Sequence, residues 1–147
     1  MNRTASAIWS GDLKTGSGAL ATHSGVLKET PYSFATRFEG TAGTNPEELI
    51  AAAHAGCFTM ALAASLSAAG FSPKRLATQA TVTLEQVAGN WTISRVHLEN
   101  EAWVPGMSAD QFQQVAAGAK ANCPVSRLLR AEISLTAKLE SSAPHTA

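Results

Sequence analysis

The period of apolar and polar positions changes several times along the chain, and each change predicts an element. Ser6 to Trp9 and Gly18 to His23 read as short strands flanking a Gly-rich turn, Gly11 to Gly16, and so as a first hairpin. Pro31 to Phe38, PYSFATRF, reads as a third extended segment, rich in aromatics and carrying Arg37, which turns at Glu39-Gly40. The pattern then changes character. From Leu49 to Leu66 there is no charged residue, and the run is mostly alanine with Ile50, Phe58, Met60 and Leu62 among them. Asn45 suits an N-cap, Pro46 suits the first helical position, and Glu48 falls three residues after the cap, so a helix is predicted to begin here. Gly70 supplies its stop. Some 24 residues at about 1.5 Å each give a rod of about 36 Å. Being apolar on nearly all sides, the rod is predicted to be a buried central helix.

The second half returns to period two. Thr78 to Val87 puts Ala80, Val82 and Leu84 on one face and Thr81, Thr83 and Glu85 on the other. Ala88-Gly89-Asn90 makes the turn. In the return strand, Trp91 to Val104, the apolar residues Trp91 and Ile93 are at odd positions, whereas Val96, Leu98, Ala102 and Val104 are at even ones. A single phase cannot keep both sets inward, which predicts a bulge or bend near Ser94-Arg95. Ser108 and Gln111 form a second capping box for a helix with Phe112, Val115, Ala116 and Ala119 as its apolar stripe. Asn122-Cys123-Pro124 interrupts it, and a short helix follows to Leu129. Ala131 to Glu140 alternates as a last strand, and the tail Ser141 to Ala147 is expected to be disordered. The order βββ-α-ββ-αα-β, with antiparallel hairpins and segregated helices, predicts an α+β fold in one domain spanning residues 1–147.

Composition narrows the function classes. Charged residues make up only 15% of the 147 and apolar ones 45%. So low a charge fraction implies hidden surface and hence a homo-oligomer. Lysine plus arginine and aspartate plus glutamate balance at 11 each. With no basic run, nucleic acid and anionic membranes are not expected partners. The uncharged rod carries His54, Gly56, Thr59, Ser65 and Ser67 and is mostly alanine, which argues against a membrane span. The first residues, MNRTASAIWSGDL, contain no secretory signal, so a cytoplasmic, thiol-reducing setting is expected.

The candidate chemistry lies with two cysteines. Cys57 and Cys123 are 66 positions apart, which matches neither a Cys-x-x-Cys redox motif nor a metal site, so no metal or cofactor is expected. Cys123 precedes Pro124 at a helix start, where free amides favour a thiolate. Cys57, in mid-helix, has no such help and needs a cation from elsewhere. Taken alone, it reads as well as an inert core thiol. Arg37 is the candidate cation, or else a solvated edge residue. Glu47 could orient Arg37 or merely answer the helix dipole, and at about 15 Å along the axis from Cys57 it cannot meet that sulfur directly. His54, three residues before Cys57, is either a hydrolase-type partner for the thiol or a satisfied core histidine.

The run Arg37-Phe38-Glu39-Gly40, then Gly43 to Leu49 and Ala52 to Phe58, resembles the OsmC/Ohr family, the osmotically inducible and organic hydroperoxide resistance proteins. Ala121-Asn122-Cys123-Pro124-Val125-Ser126 resembles its second cysteine motif. The likeness runs from about Ala7 to Leu139, and the arginine in PYSFATRFEG is closer to the OsmC branch. The resemblance implies a thiol-dependent peroxidase, active as an intertwined homodimer against organic hydroperoxides. Cys57 would be the peroxidatic thiolate, Cys123 the resolving thiol, Arg37 the residue holding the thiolate and Glu47 the one orienting Arg37. An external dithiol, in this family typically lipoyl, would be the reductant. Phe38, Phe58, Met60 and the neighbouring alanines would make the site apolar. A Cys57/His54 hydrolase and a non-catalytic ligand-binding protein are the alternatives.

Overall fold

Ser33 and Thr36 redirect the chain just before the predicted central helix. In the computed structural model, which describes residues 1–142, the third strand is only Thr30–Tyr32 (β3) and Phe34–Phe38 is a helical turn (α1). Arg37 therefore projects from the last turn of a short helix, not from an extended segment. The cause is a reciprocal cap: the Ser33 hydroxyl accepts the Thr36 amide at 3.2 Å, and the Ser33 amide donates to the Thr36 hydroxyl at 3.0 Å. The aromatic content of PYSFATRF favours a strand, but this local polar exchange outweighs it.

Contacts gather the chain into two compact units, Met1–Leu49 and Ile50 onward. In the first, strands Ala5–Ser10 (β1), Ser17–Thr22 (β2) and β3 form an antiparallel sheet in that order. Asp12 shapes the first turn by accepting the amides of Lys14 and Thr15, each at 2.9 Å. Trp9 and Tyr32 approach across Gly18 with ring centroids 5.4 Å apart. A Cβ at Gly18 would lie 2.5 Å from the Tyr32 ring, so only glycine admits this pairing. No residue of this unit is buried.

The long helix α2, Pro46–Ala68, starts and stops where its sequence predicts. The Asn45 side chain accepts the Glu48 amide at 2.9 Å, while the Glu48 carboxylate takes the Thr44 hydroxyl at 3.0 Å instead of closing the box on Asn45. At the other end the Phe71 amide reaches the Leu66 carbonyl and the Gly70 amide the Ser67 carbonyl, each at 3.0 Å, with Gly70 at φ 84. That is a Schellman termination.

Burial of α2 differs from the expectation. Within the chain only His54, Phe58, Leu62 and Leu66 are buried, one row spaced by four, whereas Ala52, Ala53, Gly56, Met60 and Ala64 are exposed. Both faces of the helix are apolar, and the second unit supplies packing for one of them. By length and composition α2 could cross a membrane, but its buried row packs in a protein core.

That core belongs to the second unit. Strands Arg75–Val87 (β4) and Asn90–Trp103 (β5) form a long hairpin whose turn puts Ala88 and Gly89 at positive φ. The predicted bulge is present: Thr83 pairs with Arg95 and Leu84 with Ile93, leaving Ser94 without a register partner. Beyond it Val96, Leu98, Asn100, Ala102 and Val104 all turn inward. Helix α3, Ala109–Asn122, carries the capping box of Ser108 and Gln111 and buries Phe112, Ala116 and Ala119 against the same cluster. Helix α4, Pro124–Leu128, follows at once. Strand β6, Glu132–Leu139, then pairs with β5 in parallel, where antiparallel pairing was expected. The α3–α4 connection is a crossover, and a crossover returns the chain in the original direction. The residues are otherwise arranged as the predicted α+β order requires. Of the tail, Ala143 onward lies outside the described residues.

Candidate active site

The second unit brings its two cysteines together. Cys57, at the middle of α2, and Cys123, between α3 and α4, are both reduced, with their sulfurs 3.1 Å apart. A disulfide needs only about 1 Å of further approach. Cys57 is set by the row beside it, Phe58 and Leu62 locked in the core. A polar tie helps: the Thr59 hydroxyl donates to the Ala55 carbonyl and lies 2.7 Å from the Thr78 hydroxyl oxygen, which accepts from buried Asn100. Cys123 is placed by Pro124, which cannot continue the hydrogen bonding of α3 and opens α4 instead.

The two sulfurs have opposite electrostatic environments. Burial, then the neighbouring Cys123, push the Cys57 thiol up from its ordinary range, with the Val125 amide the only counterweight. Burial also disfavours a charge on Cys123, but the Ser126 amide, the Cys57 thiol, the Ser126 hydroxyl and the Val125 amide together bring it below its ordinary value. Within one chain, therefore, Cys123 is the more readily ionised of the two thiols and Cys57 the less. This agrees with the reading that Cys123 is helped by local amides and that Cys57 needs a cation.

In the first unit, Arg37 and Glu47 meet in a two-pronged ion pair. Arg37 Nε donates to Glu47 Oε2 at 3.1 Å and a terminal guanidinium nitrogen donates to Oε1 at 2.7 Å. The Glu47 side chain is 12% exposed and that of Arg37 36%, so the carboxylate is the enclosed partner and the guanidinium keeps an open side. Asn45 helps to position them, donating to the Thr36 carbonyl at 3.1 Å while capping α2. Arg37 borders a cleft of about 330 Å³ walled by Trp9, Leu13, Tyr32, Phe34 and Phe38. Of the residues expected to make the site apolar, Phe38 lines this cleft. Phe58 is instead fully buried in the other unit's core, and Met60 is 76% exposed.

His54 is not paired with Cys57. It is wholly buried, its Nε2 lies 2.7 Å from the Ser126 hydroxyl, and its Nδ1 has no partner among the described residues. Burial holds its pKa below the ordinary value. This favours the core-histidine reading over a Cys–His hydrolase pair. Sequence reasoning quoted Ser126 only as part of a motif and missed its contacts. The signal was available in its spacing, a hydroxyl three residues after Cys123 across the first turn of a helix. Among the described residues no group of three or more His, Cys, Asp or Glu is arranged to hold a metal ion.

Two thiols in bonding reach within a two-sheet α+β fold define a candidate dithiol redox protein. Residues 38–138 match the OsmC-like protein family, and the chain belongs to it. It is 49% identical to peroxiredoxin OsmC of Escherichia coli (strain K12), over 96% of this chain and 99% of that protein. It is 33% identical to an organic hydroperoxide resistance protein of Xanthomonas axonopodis pv. citri, over 68% and 69% of the two chains. An OsmC-like protein from Vibrio cholerae shares the fold, with a TM-score of 0.75 at 15% identity over 93% of this chain and 99% of that one.

Proposed function

We propose that the protein is a cysteine-based peroxidase that reduces organic hydroperoxides, and hydrogen peroxide less well, in defence against oxidative and osmotic stress. The observation that carries this reading is the 3.1 Å separation of two reduced sulfurs, Cys57 and Cys123. The Cys57 thiolate attacks a peroxide oxygen, the O–O bond breaks, and the alkoxide leaves with a proton as an alcohol, so that sulfur is oxidised to sulfenic acid. Cys123 then forms the S–S bond and the sulfenic hydroxyl leaves as water. An external dithiol, lipoyl in type, restores both thiols, which places the protein in the reducing cytoplasm.

An ordinary thiol, of pKa about 8.5, is roughly 3% ionised at pH 7. Burial lowers that fraction further for Cys57, so this role requires a cation, and Arg37 oriented by Glu47 supplies it. The guanidinium's open side also serves the charge that develops on the departing oxygen. The aromatic cleft beside Arg37 suits an alkyl chain, which supports organic peroxides as the preferred class. A second copy of the chain completes the enzyme. The exposed alanine, glycine and methionine face of α2 and a first unit without one buried side chain both require cover. Sedimentation is expected to give twice the 15.3 kDa of one chain.

One equivalent of an alkyl hydroperoxide added to the reduced protein tests the chemistry. Free thiols should drop from two per chain to none without disulfide-linked dimers in the denatured mass spectrum. Thiols that persist until the protein is denatured would refute the peroxidase, and turnover of esters without thiol loss would revive the hydrolase.

A further inference from the structure

The buried histidine of α2 has no role in the cycle above, yet it touches the resolving half of the site. His54 Nε2 is 2.7 Å from Ser126 Oγ. Ser126 follows Cys123 by three residues across the first turn of α4, where its amide and hydroxyl favour the charged form of the Cys123 sulfur, and that sulfur is 3.1 Å from Cys57. All four residues belong to the second unit, and His54 and Cys123 are completely buried.

The direction of the chain of hydrogen bonds follows from what is left unpaired. Neutral imidazole has one N–H donor and one lone pair. If Nδ1 bore the hydrogen, a donor would be buried with no partner, which costs more than a buried lone pair. The hydrogen therefore belongs on Nε2 and is donated to the Ser126 oxygen. That oxygen has a single proton of its own, and with the histidine donating into it, the proton is free for Cys123. A solvated serine would turn its hydroxyl elsewhere for much of the time.

We propose that His54 and Ser126 are positioning residues for the resolving thiol: the imidazole aims the serine hydroxyl at Cys123 and so maintains that sulfur as the thiolate that attacks oxidised Cys57. In that attack the Cys123–Cys57 S–S bond forms and the Cys57 S–O bond breaks. The departing hydroxide takes from solvent the proton that Cys123 gave up on ionising, so thiol and sulfenic acid together yield disulfide and one water. As charge leaves Cys123 the Ser126 hydrogen bond weakens, which limits its effect to the thiolate stage.

The inference rests on the peroxidase reading for its kinetic consequence but not for its spectroscopic one. In Cys57→Ser, the thiolate absorbance of Cys123 near 240 nm can be titrated with no peroxide present. Ser126→Ala in that background should raise the midpoint by about one pH unit, the scale of a single hydrogen bond to a charge. His54→Gln should raise it by less, and Ser126→Thr, which keeps the hydroxyl, should leave it in place. With both cysteines present and one equivalent of an alkyl hydroperoxide, Ser126→Ala should still form sulfenic acid but close the disulfide about tenfold more slowly, with sulfinic acid accumulating when peroxide is in excess. A midpoint that does not move in Ser126→Ala overturns the proposal, as does disulfide closure at the unaltered rate. Failure to consume peroxide in the unmutated protein would refute the peroxidase and leave the titration to decide the inference. If Ser126→Ala and Ser126→Thr lower the unfolding temperature equally and neither moves the midpoint, the contact is structural only.

Discussion

The two units hold their reactive groups by different means. In the second, the sulfurs are set by packing: Phe58, Leu62 and Phe112 are fully buried, and the helices bearing Cys57 and Cys123 share one hydrophobic cluster. In the first, no side chain is buried, and Arg37 is fixed chiefly by polar contacts, namely the Ser33–Thr36 box, the Asn45 bridge and the fork to Glu47, with its guanidinium carbon 5.1 Å from the centre of the Phe38 ring. Packing fixes distance cheaply for neutral groups but cannot hold a bare charge, whose desolvation is expensive. A guanidinium is therefore carried on a lightly buried scaffold, and sulfur is carried in a core. The comparison teaches that thiol spacing should respond to volume changes, and the cation to lost hydrogen bonds.

The largest effect expected is from Cys57→Ser, which should reduce peroxide consumption by about three orders of magnitude or more, to the uncatalysed background, since it removes the proposed nucleophile. Consumption retained by that variant would move the chemistry to Cys123. Phe58→Ala should destabilise the protein by about 3–5 kcal/mol in denaturant unfolding and slow disulfide closure, because the helix row that sets Cys57 is loosened. Arg37→Ala should cut activity by about a hundredfold and Glu47→Gln by about tenfold, with the unfolding midpoint little changed in either. Their double variant should fall short of the product of the two effects, as for residues acting as a unit. Substantial unfolding in Glu47→Gln would show that its service is to α2 rather than to Arg37.

A smaller effect concerns pH. Burial holds the pKa of His54 below the ordinary imidazole value. As pH falls below that value the unfolded chain binds a proton that the native one refuses, so stability declines and then levels off below the native pKa. His54→Gln should flatten this part of a plot of unfolding midpoint against pH. Smallest of all, Asn45→Ala should cost about 1 kcal/mol by removing the α2 cap, and any activity it loses should follow the Arg37 side of the comparison.

Much of the architecture could be read from local signals. Asn45-Pro46-x-Glu48, Gly70, Ser108-x-x-Gln111 and the phase conflict around Ser94 each act over a few residues, and each lies where it was read. The same kind of signal was overlooked at Ser33 and Thr36, where aromatic content outweighed a reciprocal cap, so Arg37 was assigned to a strand. The parallel pairing of β6 could not be read from its alternation, which has the same period in either direction.

Periodicity, caps and breakers determined the elements by themselves, and the motifs around Arg37, Cys57 and Cys123 singled out the residues on which the proposed chemistry rests. Those are properties of neighbours along the chain, set by backbone hydrogen bonding and side-chain volume over a turn or two. Tertiary structure alone decided that two sulfurs 66 positions apart lie 3.1 Å from each other, that His54 faces Ser126 instead of Cys57, and that only one row of the apolar helix is covered. Such pairings depend on how whole elements pack, and an apolar helix with no distinct polar face carries no local mark of which side the core will take.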